Sequence, residues 1–289
     1  MTLDVPPSLD HLRRLEEGQA WLDALPRLMT ECAEQWSLEI GPPYPGSYVS
    51  LAAPVERRGG ELAVLKIQYP HRESEHEAEA LRVWDGDGAV RLLDSDSMRH
   101  ALLIERCTPG TRLRHEDPER ALGVLVGLLP RLWKPAGEPF TPLAAEAAGW
   151  AVGLRDQWER AGRPFAERMV DAAVETLSGL AATPAESILL HQDLHADNVL
   201  RAEREPWLVI DPKPLAGDRA FSAAPIVRSY ELGHSRDAVL GRLERITSEL
   251  GLDRERARGW AVGQTLAWAF EGDSALPQHV ETARWLLDV

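Results

Sequence analysis

Residues 187–213 constrain the fold more strongly than any other stretch of this chain. Two short apolar runs, 188–190 and 207–210, have the composition of buried β-strands, and polar residues follow each of them. Asp193 comes after the first run, Asn198 lies five residues later, and Asp211 lies a further thirteen residues along. On a strand–loop–strand unit, one carboxylate can orient a hydroxyl while the amide oxygen and the second carboxylate hold Mg2+. Each residue alone could be an ordinary turn or strand-end residue, but their ordered spacing favours a phosphoryl-transfer centre.

The composition limits the partners that such a centre can have. The chain of 289 residues is long enough for two lobes, and its formal net charge of −14 argues against nucleic acid as a main partner. An acidic protein suits a cationic small-molecule substrate, although the same charge can serve solubility alone. Cys32 and Cys107 lie far apart and supply neither a disulfide framework nor zinc-ligand spacing. With no signal peptide and no apolar run of about 20 residues, we expect a cytoplasmic protein without a membrane partner.

The order of the predicted elements divides the chain into two lobes and indicates an α+β fold. The first hundred residues have the pattern helix, two strands, helix, two strands, and helical patterns dominate later. The helical predictions are 8–40, with Pro26 as a break or kink, then 71–84, 118–133, 141–161, 164–182, 218–231, 235–250, 253–271 and 276–288. The strand predictions outside 187–213 are 48–52, 62–67, 90–93 and 101–105. The change in composition near 106–111 predicts an N-lobe of residues 1–106 and a C-lobe of residues 107–289, and Asp117 is expected to cap a helix.

Lys66 lies inside the predicted strand 62–67, where a lysine on a buried face would be costly unless it were paired. In kinases such a lysine binds the α- and β-phosphates and is held by a glutamate on a helix. The next predicted helix offers four glutamates, of which Glu77 is the preferred partner. The alternative is a solvated lysine beside an exposed acidic helix face. The position of Lys66 upstream of Asp193 and Asp211 favours the functional interpretation.

Other site classes fit the sequence less well. The loop 41–47 lacks the Lys-Ser/Thr that a P-loop requires, so a P-loop NTPase is rejected. Its position before the strand hairpin suggests a phosphate cover, which its three prolines would make stiffer than usual. His191, Asp193 and His195 have the spacing of ligands in a metal-dependent hydrolase, but that class leaves Lys66 without a role. We prefer a His191 that braces the loop through backbone hydrogen bonds. A catalytically weak nucleotide-binding sensor remains a further alternative.

Several segments together resemble a known family. Residues 191–200 are similar to the H-x-D-x-H-x-x-N loop of aminoglycoside phosphotransferases, and residues 209–218 look most like the streptomycin 6-kinase and hydroxyurea phosphotransferase branch. Segments 63–67, 76–81, 88–93 and 102–106 resemble the same branch, so that the likeness covers about residues 40–270.

This resemblance implies a protein-kinase-like bilobal fold, with a small β-rich N-lobe, a mostly helical C-lobe and ATP between them. It implies a small-molecule kinase that acts on a hydroxyl of a cationic, streptomycin-type substrate. The alternative on the same fold is a kinase of a sugar, an amino alcohol or another hydroxyl metabolite. The residue roles implied by position are a catalytic base, Asp193; Mg2+ ligands, Asn198 and Asp211; a phosphate-binding pair, Lys66 and Glu77; and a hinge whose backbone meets adenine, Glu105 to Cys107.

The segment 217–222 departs from the family pattern. The family often has G-D-x-A-x-D here, whereas this chain keeps Asp218 and has Ser222 in place of the second acid. Because acidic residues hold guanidinium and amino groups, this change bears on the substrate. We expect Asp218 either to brace the metal-ligand loop or to face the substrate, and Glu271 and Asp273 are further candidate contacts for a cation. The sequence leaves the oligomeric state open.

Overall fold

The computed structural model of the protein describes residues 5–183 and 186–289. It divides into two compact units, Met1–Gly110 and Thr111–Val289. The lobe boundary predicted after residue 106 lies four residues before this division. Within the described residues, no helix is both long and apolar enough to cross a membrane.

A five-stranded antiparallel sheet forms the framework of the first unit. Its strands lie in the order β1-β2-β3-β5-β4, and their bounds are β1 Leu38–Ile40, β2 Ser50–Arg57, β3 Leu62–Gln68, β4 Leu92–Asp96 and β5 Ala101–Glu105. In the central strand β3, Ala63, Leu65 and Ile67 are fully buried. Because side chains alternate across a strand, Lys66 lies on the opposite face of β3 from these three residues.

The helical segment before the sheet differs from the prediction of one helix over 8–40. A 3-10 helix, Pro7–Arg14, precedes α1, Glu16–Trp36, and the helix ends where Ser37 takes a left-handed conformation with φ of 53°. The next three residues form β1, because they pair with β2. The predicted break at Pro26 is wrong. A proline costs the helix one hydrogen bond, and α1 continues through it on a buried face that includes Leu22, Leu25 and Met29.

Other predicted elements of the first unit are shifted or shortened. The strand expected at 48–52 starts at Ser50 and runs on to Arg57, and the strand expected at 90–93 is β4, Leu92–Asp96. The helix expected over 71–84 is shorter, because only α2, Glu77–Trp84, is α-helical. His76 directly before it has a positive φ of 66°, which the α-helix does not accept.

The second unit is mostly helical, as predicted. Its helices are α3 Pro118–Leu132, α4 Leu143–Arg160, α5 Glu167–Ala182, α6 Ala223–Arg228, α7 Arg236–Leu250, α8 Arg254–Ala267 and α9 Pro277–Leu287. The Asp117 side chain accepts two backbone N–H groups at the start of α3, so the predicted cap is confirmed. Helix α8 packs against α4, α5, α6, α7 and α9. A Cβ at Gly263 would lie 2.4 Å from Leu177, so that glycine permits the close approach of α8 to α5.

Short strands carry the polar loops of this unit. They are β6 Ile188–His191, β7 Val199–Arg201, β8 Trp207–Val209, β9 Pro214–Gly217, β10 Phe270–Glu271 and β11 Ser274–Ala275. The two apolar runs at 188–190 and 207–210 do not pair with each other. Instead, β6 pairs with β9 and β7 pairs with β8, each in an antiparallel two-stranded sheet. The predicted helix 253–271 ends at Ala267, and the β10–β11 hairpin follows it.

Candidate active site

Lys66 and Glu77 form a buried ion pair in the first unit. The Lys66 ammonium lies 2.8 Å from Oε1 and 2.6 Å from Oε2 of Glu77, and both side chains are less than one-tenth exposed. Gln68, on the same face of β3, donates to Glu77 Oε2 at 2.6 Å. Glu77 is the first residue of α2, where the helix dipole favours a carboxylate. The predicted pairing is therefore observed, while the contact of Lys66 with phosphate stays a prediction.

The predicted hinge leaves the sheet at the end of β5. Glu105 is the last residue of that strand. Its backbone N–H donates to the carbonyl of Arg91 at 2.9 Å, and its carboxylate accepts the N–H of Arg91 at 3.0 Å. The backbone N–H of Glu105 is thus used within the sheet. Cys107 follows in irregular structure and is partly buried.

Asp193 lies two residues beyond β6 in the second unit, and basic groups surround its carboxylate. Lys213 Nζ lies 3.0 Å from Oδ2, and Arg228 Nη2 lies 3.4 Å from Oδ1. His195 Nε2 lies 3.8 Å from the same Oδ1. Burial favours a higher pKa for Asp193, but the neighbouring charges, that of Lys213 foremost, hold the pKa below its ordinary value. Asp193 is therefore ionised at neutral pH, as a group that accepts a hydroxyl proton must be.

His191 braces this loop from inside the protein. Its Nδ1 accepts the backbone N–H of Asp193 at 3.1 Å, and its Nε2 lies 3.2 Å from the carbonyl oxygen of Ile210. Because Nδ1 is an acceptor, the ring proton is on Nε2 and is donated to Ile210. Burial lowers the pKa of His191 to about 4, so the ring is neutral at physiological pH. The bracing role predicted for His191 is confirmed.

Asn198 and Asp211 lie at one end of the β7–β8 pair. The Asn198 amide nitrogen donates to the Asp193 carbonyl at 2.9 Å, which directs the amide oxygen away from that carbonyl. The Asn198 backbone carbonyl accepts the N–H of Ile210 at 2.9 Å. This bond connects the Asn198 backbone to the residue that directly precedes Asp211. Asp211 has a positive φ of 55°, which is uncommon for a residue other than glycine.

The donor chemistry at this position suits magnesium and not zinc. An amide oxygen and a carboxylate are hard oxygen ligands, and Mg2+ in phosphoryl-transfer sites uses one or two such groups together with phosphate and water. Among residues 5–183 and 186–289, no group of three or more His, Cys, Asp or Glu side chains is arranged to hold a metal ion.

Asp218 and Ser222 are buried within the second unit. Asp218 Oδ2 accepts the Trp260 indole N–H at 2.9 Å and the Arg256 Nε–H at 2.8 Å. Ser222 Oγ accepts the indole N–H of Trp133 at 3.0 Å and is 4% exposed. Asp218 thus braces the start of the helical region. Ser222, which replaces the second acid of the family pattern, is buried on Trp133.

Sequence reasoning missed three residues around Asp193. Lys213 and Arg228 contact its carboxylate, and both lie over the ring of Trp268, at 5.0 and 4.5 Å from the centroid. A signal was available: each cation directly adjoins a buried apolar run, the same pattern that singled out Lys66. Glu271 and Asp273, by contrast, are exposed on the β10–β11 hairpin, and their contact with a cation stays a prediction.

Kinase-like phosphotransferases typically have a buried lysine–glutamate pair in a β-rich unit and an Asp–Asn–Asp set on the loops of a helical unit. This chain has both. A family model described as aminoglycoside/hydroxyurea antibiotic resistance kinase matches residues 35–275. The chain belongs to that family and is a small-molecule kinase.

Individual relatives agree with this assignment. The chain is 40% identical over 271 residues to hydroxyurea phosphotransferase of Kitasatospora aureofaciens, covering 91% of this chain and 78% of the relative. It is 39% identical over 270 residues to streptomycin 6-kinase of Streptomyces glaucescens, covering 90% and 88%. Its fold is similar to that of choline kinase LicA from Streptococcus pneumoniae, with a TM-score of 0.65, 15% identity and coverage of 92% and 99%. The protein-kinase-like α+β fold predicted from the sequence is confirmed.

Proposed function

We propose that this protein transfers the γ-phosphoryl group of ATP to a hydroxyl of a streptomycin-type aminocyclitol. The observation that carries the proposal is the family match over residues 35–275. The relative named streptomycin 6-kinase supports the acceptor class, because this chain covers most of its length. We further propose a cytoplasmic location, which fits a chain with only two cysteines that lie far apart in sequence.

In the proposed reaction, Asp193 accepts the proton of the acceptor hydroxyl as its oxygen attacks the γ-phosphorus and ADP leaves. Lys66, held by Glu77, binds the α- and β-phosphates. Asn198 and Asp211 hold Mg2+, which when bound neutralises charge on the phosphates. The low pKa of Asp193 supports its role, since the carboxylate is ionised throughout the physiological range. The backbone of residues 105–107 contacts adenine.

The second candidate acceptor is a neutral hydroxyl compound, and the surroundings of Asp193 favour it. Lys213 and Arg228 place two cations beside the carboxylate, and a third cation next to the reacting hydroxyl would be repelled. The relative named hydroxyurea phosphotransferase is consistent with a neutral acceptor. On a streptomycin-type substrate, the guanidinium groups must then bind away from the reacting hydroxyl, and exposed Glu271 and Asp273 are candidate contacts for them.

A turnover assay tests the proposal and separates the acceptors. The purified protein is incubated with ATP and Mg2+ and with streptomycin, hydroxyurea, other aminoglycosides, sugars or amino alcohols, and acceptor-dependent ADP release is measured. We expect streptomycin to give the highest kcat/KM, and Asp193→Ala to lose at least about 10³-fold in kcat with an unchanged circular dichroism spectrum. Undiminished turnover in Asp193→Ala would disprove the assignment of the base. ATP binding with no acceptor-dependent turnover would favour the sensor alternative.

A further inference from the structure

The Asp193 carboxylate has a basic side chain on each of its two oxygens. Lys213 contacts Oδ2 at 3.0 Å, and Arg228 lies 3.4 Å from Oδ1. The Asp193, Lys213 and Arg228 side chains are 16%, 20% and 9% exposed, so these contacts are largely shielded from water. Ion pairs in such surroundings are screened much less than surface pairs.

Trp268 connects the two cations. Its ring centroid lies 5.0 Å from Lys213 Nζ and 4.5 Å from Arg228 Cζ, both within the range of a cation–π interaction. The carboxylate is thus contacted by an ammonium and a guanidinium group that both pack against the same rigid indole ring. Rotation of the Asp193 side chain would have to break both contacts.

The fold places these groups from three separate elements. The backbone N–H of Gln192 donates to the Lys213 carbonyl at 3.0 Å, which extends the β6–β9 pairing by one bond and sets Lys213 beside the loop. Arg228 is the last residue of α6, and Trp268 directly follows α8. One turn before Trp268, Gln264 donates from α8 to the Gln192 carbonyl at 2.7 Å.

We propose that Lys213 and Arg228, held by Trp268, are positioning residues that fix the Asp193 carboxylate for the acceptor hydroxyl. This inference rests on the proposed role of Asp193 as the base. With one cation on each oxygen, the plane of the carboxylate is set, and the remaining lone pairs are available to the hydroxyl. A catalytic group misplaced by about 1 Å can cost about 10²-fold in rate, so alignment of this kind acts on kcat.

The test compares variants in the acceptor-dependent ADP-release assay. We expect Lys213→Met to lower kcat about 10²-fold while the KM for ATP changes less than about threefold. Lys213→Arg keeps the charge and the ring contact and should recover kcat to within about tenfold of the wild type. Trp268→Leu removes the support without removing a charge and should lower kcat about tenfold. The midpoint of urea unfolding is measured for each variant.

Arg219→Met is the matched control. Arg219 also pairs with a carboxylate, that of Glu186, and lies 5.3 Å from the centroid of a tryptophan ring, that of Trp133. Loss of this second cation–tryptophan contact should leave kcat within about twofold of the wild type. A similar fall in kcat for Arg219→Met and Lys213→Met would mean that loss of structure explains both, and would overturn the inference.

A double-mutant comparison identifies the group through which Lys213 acts. In the Asp193→Asn background, measured by single turnover, Lys213→Met should add less than about threefold to the loss, because the carboxylate it positions is gone. A full additional 10²-fold loss would place Lys213 on the transferring phosphate and overturn the positioning role. Unchanged kcat in Lys213→Met, with an active wild type and an inactive Asp193→Asn, would overturn this inference alone. A wild type inert toward every acceptor would overturn both proposals.

Discussion

Replacing Glu77 by leucine perturbs the most completely buried ion pair described in the first unit. Glu77 accepts two hydrogen bonds from Lys66 and one from Gln68, and its side chain is 2% exposed. Glu77→Leu leaves a buried ammonium without its carboxylate. Lys66→Met leaves the buried carboxylate with Gln68. The double variant removes both charges and fills the space with apolar groups.

The expected magnitudes follow from these contacts. Removing one partner of a buried ion pair costs about 3–5 kcal/mol, whereas an apolar replacement of both partners is often nearly neutral. In the double variant, the Gln68 amide loses its hydrogen bond to Glu77, at about 1–3 kcal/mol. We therefore expect each single variant to lose about 3–5 kcal/mol in the local free energy of opening. The double variant should lose about 1–3 kcal/mol, far less than the sum of the singles.

Native-state hydrogen exchange of the amides in β3 and α2 measures this quantity, because it reports the free energy of opening of a particular region. Glu61→Leu is the control, since its pair with Arg57 at the adjacent hairpin is exposed and should contribute less than about 1 kcal/mol. Strictly additive losses, or single variants as stable as the control, would refute the reasoning. The double variant is also expected to be inactive, since the proposed phosphate-binding lysine is missing.

Three further predictions concern the second unit. Since the pKa of His191 falls from its ordinary 6.5 to about 4 on folding, the unfolded state binds its proton first, and stability is lost as pH falls from about 6.5 to 4. The loss should reach about 3 kcal/mol in urea titrations and be smaller in His191→Gln; equal pH slopes would contradict this. Asp218→Asn should cost about 1.5–3 kcal/mol of unfolding free energy, because a charged acceptor of the Trp260 and Arg256 N–H groups is lost; an unchanged urea midpoint would contradict the bracing role. Asn198→Ala should raise the Mg2+ concentration for half-maximal ADP release at least about tenfold and cost about 0.5–1.5 kcal/mol of unfolding free energy, because the hydrogen bond to the Asp193 carbonyl is lost. An unaltered Mg2+ dependence would exclude Asn198 as a ligand.

Local patterns predicted the elements of both units because the apolar periodicity in this chain is strong. The Asp117 cap and the helices 118–133, 141–161 and 164–182 correspond closely to α3, α4 and α5. The errors lie where a long-range contact decides the outcome. Residues 38–40 continue the helical pattern of α1, yet pairing with β2 makes them a strand. Likewise, the apolar runs of 187–213 show that strands exist there but not that each pairs with a third segment.

The same limit applies to the candidate site. The choice of Glu77 among four glutamates succeeded because a strand lysine and the first turn of the following helix are neighbours in this arrangement. Lys213 could be read from its place beside a buried strand. Arg228 also follows an apolar run, but its contacts with Asp193 and Trp268 could not be predicted, because these residues are distant in sequence and meet only through the packing of α6 and α8.

The serine at position 222 illustrates how such packing changes the meaning of a sequence difference. An aspartate there would resemble the family pattern and suggest a contact with a cationic substrate. In this fold the side chain is buried and accepts a hydrogen bond from Trp133, and a serine makes that bond without the cost of burying a charge. The residue at 222 therefore carries no information about a surface contact with the acceptor. The cations beside the Asp193 carboxylate are Lys213 and Arg228, and under the proposed function we expect substrate preference to respond to substitutions there and not at position 222.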